Sequence, residues 1–340
     1  MANQKKSPSQ KKRKTSSVNV SRSIEKASRN KPKPWVTFLT FVIIILVVVW
    51  YQQNQVEEPT ITYGAGQNEA GYYYYQQLTS GYYAEANNII GSALKSALNE
   101  ISNDNLSPQT YGDAKTVLAE SDLSLTDRTK VYNVYNGLLV DATWDSISWH
   151  REHIWPNSRL GMDRVTESGR NQASDLHNLR AITPAVNSSR SDRFYDQASG
   201  DFQTVTGGGY YPGDEHKGDV ARILFYMAVT YDFLILTDEG LEDESNHYTM
   251  EGAKMGKLSL LLEWHREDPV DDFERQRNEV IYQAQGNRNP FIDQPAYVHL
   301  IWEDMTVNDL IEPESAQTFT PHNVLIHMII ERRVWYVSSL

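Results

Sequence analysis

The sequence predicts an α+β fold: a mostly helical body around a small strand–loop–strand–helix unit, preceded by a disordered basic tail and one transmembrane helix. Three observations predict it. Apolar residues recur at helical spacing along 90–101 and 218–233. Residues 150–192, between them, read as two short extended runs separated by a loop and followed by a proline-led turn or helix. Ahead of all these, Trp35 to Tyr51 is almost wholly apolar.

Taken in order, residues 1–34 are rich in Lys, Arg, Ser and Asn, lack a periodic apolar pattern, and read as a disordered tail. Segment 35–51 is near the shortest length that spans a bilayer, with Trp35, Trp50 and Tyr51 at its ends as interface aromatics. The basic flank before it puts the N-terminus in the cytoplasm and the C-terminal body outside. A cleaved signal peptide and a core element are the alternatives; the polar run Gln52-Gln53-Asn54-Gln55 offers no small-x-small cleavage site. Residues 52–80, polar and Tyr-rich, read as a linker. The folded body then runs over 81–305.

Within the body, residues at 90, 94, 97, 98 and 101 form a helical stripe, repeated weakly over 111–120. Val131 to Asp141 reads as a strand. Gly218 to Phe233 reads as a strong helix, with Asp219 near its start and Val220, Ile223, Leu224, Met227 and Ala228 on one face. Met255 to His265 is another helix, and Phe273 to Gln285 a third, ending before Gly286. Residues 237–246 form an acidic loop. Residues 306–340 are a C-terminal extension that the pattern leaves open between helix and strand.

Composition narrows the chemistry. The chain has no cysteine, so disulfides and thiolate metal sites are excluded. Residues 1–35 hold eight Lys, three Arg and a single acid, a net of +10, so the total of −12 leaves −22 on the rest. An acidic body does not capture nucleic acid by its overall field, and any contact must be local. The window 150–195 reverses the trend locally, with seven Arg, no Lys and five acids. Arg forks suit phosphate.

That window also carries the candidate catalytic residues. In His150-Arg151-Glu152-His153, an imidazole that titrates near neutrality stands beside a carboxylate. In an extended strand their side chains point to opposite faces, so one can hold an ion while the other takes a proton. A zinc site on His150 and His153 is the rival, although HREH is not the HExxH pattern. The chain from His153 to Asn187 makes strand, loop, strand and helix, which returns Asn187 over the end of the first strand. Its amide oxygen is a hard neutral ligand for Mg²⁺ or Ca²⁺, or else a helix cap.

Three motifs stand in order: Arg151-Glu152-His153-Ile154-Trp155-Pro156-Asn157-Ser158, Ser174-Asp175-Leu176-His177-Asn178-Leu179 and Val186-Asn187-Ser188-Ser189-Arg190-Ser191. Together they resemble the bacterial endonuclease I family of extracellular nucleases, in the ββα-metal (His-Me finger) superfamily. The likeness extends from Tyr82-Tyr83 and the 91–101 stripe through Lys217–Arg222 and Trp264-His265 to Gln285–Asp293, covering roughly 81–305. It implies a ββα-metal core and His153 as general base. Glu152 and Asn187 would hold Mg²⁺, with Mn²⁺ or Ca²⁺ as alternatives. Arg190, or failing that Arg170, would stabilise the phosphate. Asp175, His177 and Asn178 would orient the site. The implied partner is nucleic acid, DNA first with RNA as the further candidate, with the membrane as anchor and no obligate protein partner. A surface protein that binds nucleic acid without cutting it is the rival from another class.

Overall fold

The structure is a computed structural model that describes residues 36, 43–45, 66–78, 81–242 and 247–313. The expected tail (1–34), most of the apolar segment 35–51, residues 243–246 of the acidic loop and the extension beyond 313 lie outside the described residues. Among the described residues no helix is long and apolar enough to cross a membrane. The chain divides into two units, Met1–Glu58 and Pro59–Leu340. In the first, Val36 and Ile43 to Ile45 are helical and exposed. All that follows concerns the second.

Its elements in chain order are α1 (Gly91–Asn105), α2 (Ala114–Ser121), β1 (Lys130–Tyr132), β2 (Leu139–Asp141), β3 (His150–His153), β4 (Leu179–Ile182) and α3 (Pro184–Arg190). Then come β5 (Gln203–Thr204), β6 (Tyr210–Tyr211), α4 (Lys217–Thr230), β7 (Ile235–Leu236), β8 (Lys254–Met255), α5 (Leu258–Glu267), α6 (Asp272–Gln285), α7 (Pro290–Asp293) and α8 (Tyr297–Trp302). Among the described residues the strands form four two-stranded ladders, so the α+β expectation holds; helices outweigh strands, but about half of the described body is turns and loops and the body is not mostly helical.

Helix α4 is the centre. The sequence offers one apolar face, but every residue from Gly218 to Thr230 is buried. It packs on α1 and α5, and a helix apolar enough to be enclosed needs no solvent face. Its last carbonyls are satisfied from α1. Asn99 Nδ2 donates to Val229 and Thr230 at 2.8 and 3.0 Å, and Asn103 Nδ2 donates to Thr230 at 2.9 Å. The α1 stripe itself buries Leu94, Leu98 and Ile101. Ile90 sits instead at the extended N-cap, 43% exposed.

Three segments depart from the sequence reading. The strand expected over 131–141 is a hairpin, β1 antiparallel to β2, whose connection holds Tyr135 at φ +71°. The helix expected from Met255 starts only at Leu258, because Lys254–Met255 pairs in parallel with β7. Gly256 separates strand from helix at φ +143°, and a Cβ there would meet the Thr237 carbonyl oxygen at 2.5 Å. The third departure is at the body's edges. Residues 66–78 are packed: Tyr73 is buried, its backbone N–H donates to His299 Nε2 at 3.1 Å, and its hydroxyl accepts from Val270 N at 3.1 Å. Tyr75 N donates to the Leu310 carbonyl at 2.8 Å. The packed body therefore reaches beyond 81–305 at both ends, because a tyrosine run buries ring area while its polar groups find partners.

Helix α6 ends where the sequence places its end. Asp271 and Glu274 form a capping box at its start, and Gly286 closes it at φ +85°. This helix supports the site from behind. Asp122, at the end of α2, pairs with Arg277 of α6 at 2.9 Å and with Arg180 of β4 at 3.4 Å, and its Oδ2 accepts from Ala181 N at 2.7 Å. All three side chains are buried, so each charge depends on the others.

Candidate active site

Strands β3 and β4 run antiparallel, with His150 opposite Ile182, Glu152 opposite Arg180 and His153 opposite Leu179. Pro184 then opens α3 at a position where its missing N–H costs nothing, and the helix carries Asn187 and Arg190 one turn apart. The strand–loop–strand–helix expected between 150 and 190 is present. It brings Glu152, His153 and Asn187 to the wall of one cavity of about 470 Å³.

Strand alternation gives Glu152 and His153 separate partners. Glu152 is buried; its Oε1 accepts from the Tyr135 hydroxyl at 3.0 Å and pairs with Arg190 Nε at 3.3 Å. Burial pushes its carboxyl up to about 7, although Arg190 and Tyr135 both act to lower it. The charge on Glu152 is thus only partly compensated, an arrangement that a further cation in the cavity would complete.

His153 is bound differently. Its Nε2 lies 2.8 Å from the Ala173 carbonyl oxygen, so this nitrogen carries the proton and Nδ1 keeps the lone pair. The ring stacks on Tyr111, centroids 5.2 Å apart. Burial brings the imidazole down to about 4; Arg151, Arg190 and Arg164 lower it too, against the Ala173 contact. His153 is therefore neutral at pH 7 and able to accept a proton.

The other expected residues divide. Asn178 stands directly behind the site: Oδ1 accepts from Trp155 N at 2.7 Å, Nδ2 donates to the Trp155 carbonyl at 3.0 Å, and its own carbonyl accepts from Ile154 N at 3.0 Å. It fixes the chain just past His153. Asp175 and His177 lie deeper and do not line the cavity. Asp175 accepts from Tyr226, Tyr231, Gln285 and the His177 backbone, and His177 Nε2 meets the Asn287 carbonyl at 3.2 Å. They brace the turn that precedes β4.

The two arginines expected at the phosphate are elsewhere. Arg190 is fully buried; Nη2 donates to the Ile154 carbonyl at 2.7 Å and Nη1 to the Ser191 carbonyl at 3.0 Å, while Nε faces Glu152. Enclosed by these contacts, it braces the carboxylate and does not line the cavity. Arg170 is exposed and does not line it either. The cavity's cations are Arg164 and Arg151, the latter paired with Glu167 at 2.6 Å. Replacing Arg190 with leucine leaves Glu152 buried without its cation and lowers stability by roughly 3–5 kcal/mol. Urea denaturation would show it, and a midpoint like that of the unaltered protein would remove Arg190 from this role.

Sequence reasoning missed Tyr135, Tyr195 and Tyr111. Tyr135 and Tyr195 join hydroxyls at 2.7 Å beneath Glu152, and Tyr111 supports His153. None of the three sits in a motif. Arg164 lay within the Arg-rich window and was not singled out.

Among the described residues, no group of three or more His, Asp or Glu side chains is placed to hold a metal. His150 lines a neighbouring cavity and not the one that holds His153, so the two histidines do not form a zinc pair. The oxygen donors of Glu152 and Asn187 suit a hard cation that takes most of its ligands from water and substrate.

Residues 90–296 match the sequence profile of the Endonuclease I family. The chain belongs to the endonuclease I family. Its strand–loop–strand–helix core is consistent with the ββα-metal superfamily. The chain is similar to the extracellular ribonuclease of Bacillus amyloliquefaciens, 38% identical over 237 residues covering 66% of this chain and 78% of that protein. The extracellular ribonuclease of Bacillus subtilis (strain 168) is 38% identical over 244 residues, covering 66% and 79%. Endonuclease-1 of Buchnera aphidicola subsp. Baizongia pistaciae is 27% identical over 173 residues, covering 43% and 61%. In this endonuclease I family member, the matched stretch includes both strands of the core and α3. The family is one of nucleases, and its substrate is nucleic acid.

Proposed function

We propose that the protein is a Mg²⁺-dependent, sequence-nonspecific endonuclease. It hydrolyses phosphodiester bonds of DNA and RNA outside the cell and leaves 5′-phosphate and 3′-hydroxyl ends. The observation that carries this reading is a neutral His153 and an under-compensated, buried Glu152 on the wall of one cavity with Asn187. A divalent ion held by Glu152 and Asn187, Mg²⁺ or alternatively Mn²⁺ or Ca²⁺, would neutralise charge at the scissile phosphate and the departing oxygen.

The residues divide the remaining work. His153 Nδ1 accepts a proton from water, whose oxygen bonds to phosphorus as the P–O3′ bond breaks. The electron pair leaves with the 3′ oxygen, which takes a proton from solvent. The Ala173 carbonyl and the Tyr111 ring hold the imidazole in the required tautomer and orientation. Arg164 contacts a non-bridging phosphate oxygen. Because the nucleophile is water, the ribose 2′-hydroxyl has no part in the reaction, so the same chemistry serves either sugar. The names of the two ribonucleases support RNA as a substrate and an extracellular site of action. The apolar segment 35–51 would anchor the nuclease body at the outer face of the membrane.

The test is incubation of the purified full-length chain with plasmid DNA and single-stranded RNA, in EDTA and in Mg²⁺, with analysis of the ends. Cleavage only in Mg²⁺, with 5′-phosphates, is expected. Cleavage in EDTA or 3′-phosphate ends would reject the mechanism, and bound but intact nucleic acid would make this a binding protein. Arg164→Ala lowers kcat/KM by about tenfold, whereas Arg170→Ala leaves it unchanged. The reverse ranking would return the phosphate role to Arg170.

A further inference from the structure

A second cavity, of about 430 Å³, adjoins the first and shares Tyr111, Arg151 and Asn187 with it. Hydrolysis uses nothing on its far wall, which carries Lys115, Trp144 and His150. Trp144 is half-buried and held edge-on by fully buried Trp149, with centroids 4.6 Å apart and planes at 88°. The Arg151 guanidinium lies 3.7 Å from the Tyr111 ring centroid and 5.4 Å from that of Trp144. Glu167 also lines this cavity; it pairs with Arg151 at 2.6 Å and is acted on by Lys115 as well, so two cations face one carboxylate. The cavity therefore combines a pre-positioned aromatic surface with one cation more than its carboxylate balances, and it adjoins the site of hydrolysis.

The geometry points to a subsite for the nucleotide next to the scissile phosphate, whose base stacks on Trp144 while its phosphate meets Lys115. This deepens the nuclease reading and rests on it. Tyr111 is the partition: it stacks on His153 in the first cavity and carries Arg151 towards the second. A base seated against Trp144 thus holds the strand across Tyr111 and steadies the phosphate beside His153. Stacking on a π-face is tolerant of base identity, so the subsite grips the strand without imposing a sequence. Trp144 and Lys115 are positioning residues and take no part in the bond changes.

The test is the affinity of the full-length chain for a fluorescent single-stranded DNA hexamer in EDTA, measured by anisotropy. Trp144→Ala weakens binding about tenfold, and Trp144→Phe restores most of the loss. Lys115→Ala weakens binding about threefold and lowers the salt slope by about one. With an abasic hexamer, the Trp144→Ala effect disappears while the Lys115→Ala effect remains. Should Trp144→Ala fold poorly, weaker binding of the abasic than of the intact hexamer by the unaltered protein reads the stacking directly. Equal affinity for the two hexamers, or an equal Trp144→Ala loss on both, overturns the subsite. A protein that shows the expected binding pattern yet leaves the strand whole in Mg²⁺ overturns the nuclease reading and keeps the subsite.

Discussion

Replacing His153 with alanine lowers the rate of nucleic acid cleavage by at least about 10²-fold and leaves divalent-metal affinity unchanged. The loss follows from the imidazole's position: Nε2 is committed to the Ala173 carbonyl, the ring is stacked on Tyr111, and Nδ1 alone can accept a proton. Glu152 keeps its own partners, Tyr135 and Arg190, so the ligand side of the cavity survives the substitution. Single-turnover rates and metal titrations on the same variant separate the two. Turnover near the normal rate, or a matching loss of metal affinity, would remove His153 from the role of base. The pH profile adds a second readout. A base works when deprotonated, and His153 is brought down to about 4. At saturating metal, activity should rise through about pH 4 and be level by pH 6, where an unperturbed histidine would still be titrating.

Glu152→Ala and Asn187→Ala raise the Mg²⁺ concentration needed for half-maximal activity, by about 10-fold or more for Glu152 and less for the neutral Asn187. The two differ because one removes a charge and the other only a dipole. Burial pushes the Glu152 carboxyl up to about 7, so below that pH a cation must displace a proton to bind. The Mg²⁺ requirement should therefore climb as pH falls below 7, by up to about tenfold per unit, and be flat above it. Titrations at pH 5.5 and 7.5 check the sign. An identical requirement at both values, or unchanged curves in both variants, would take Glu152 and Asn187 off the ligand list.

Much of this site was legible in local spacing. Glu152 and His153 are neighbours on one short strand, and a strand–loop–strand–helix unit is compact enough for its order to imply that Asn187 returns beside them. Helix ends were legible for the same reason: the Asp271–Glu274 box and Gly286 bound α6 through contacts within a few residues. Arg190 was misread because its motif position gave no sign of depth. It stands one turn beyond Asn187 on the same helix, yet it is buried against Glu152, Ile154 and Ser191 while Asn187 lines the cavity. Tyr135 was hidden inside what read as a strand, since a residue at φ +71° leaves no pattern in a run of apolar and polar letters.

The sequence by itself determined the family's motifs, the helical periodicities and the acid–histidine–asparagine set, because each depends on residues near one another in the chain. Tertiary structure alone decided which arginine braces and which faces the cavity. It also placed Tyr111 against His153 and left Glu152 buried and titrating near 7. Desolvation and long-range contacts set those properties, and both arise only when segments far apart in the chain are packed together.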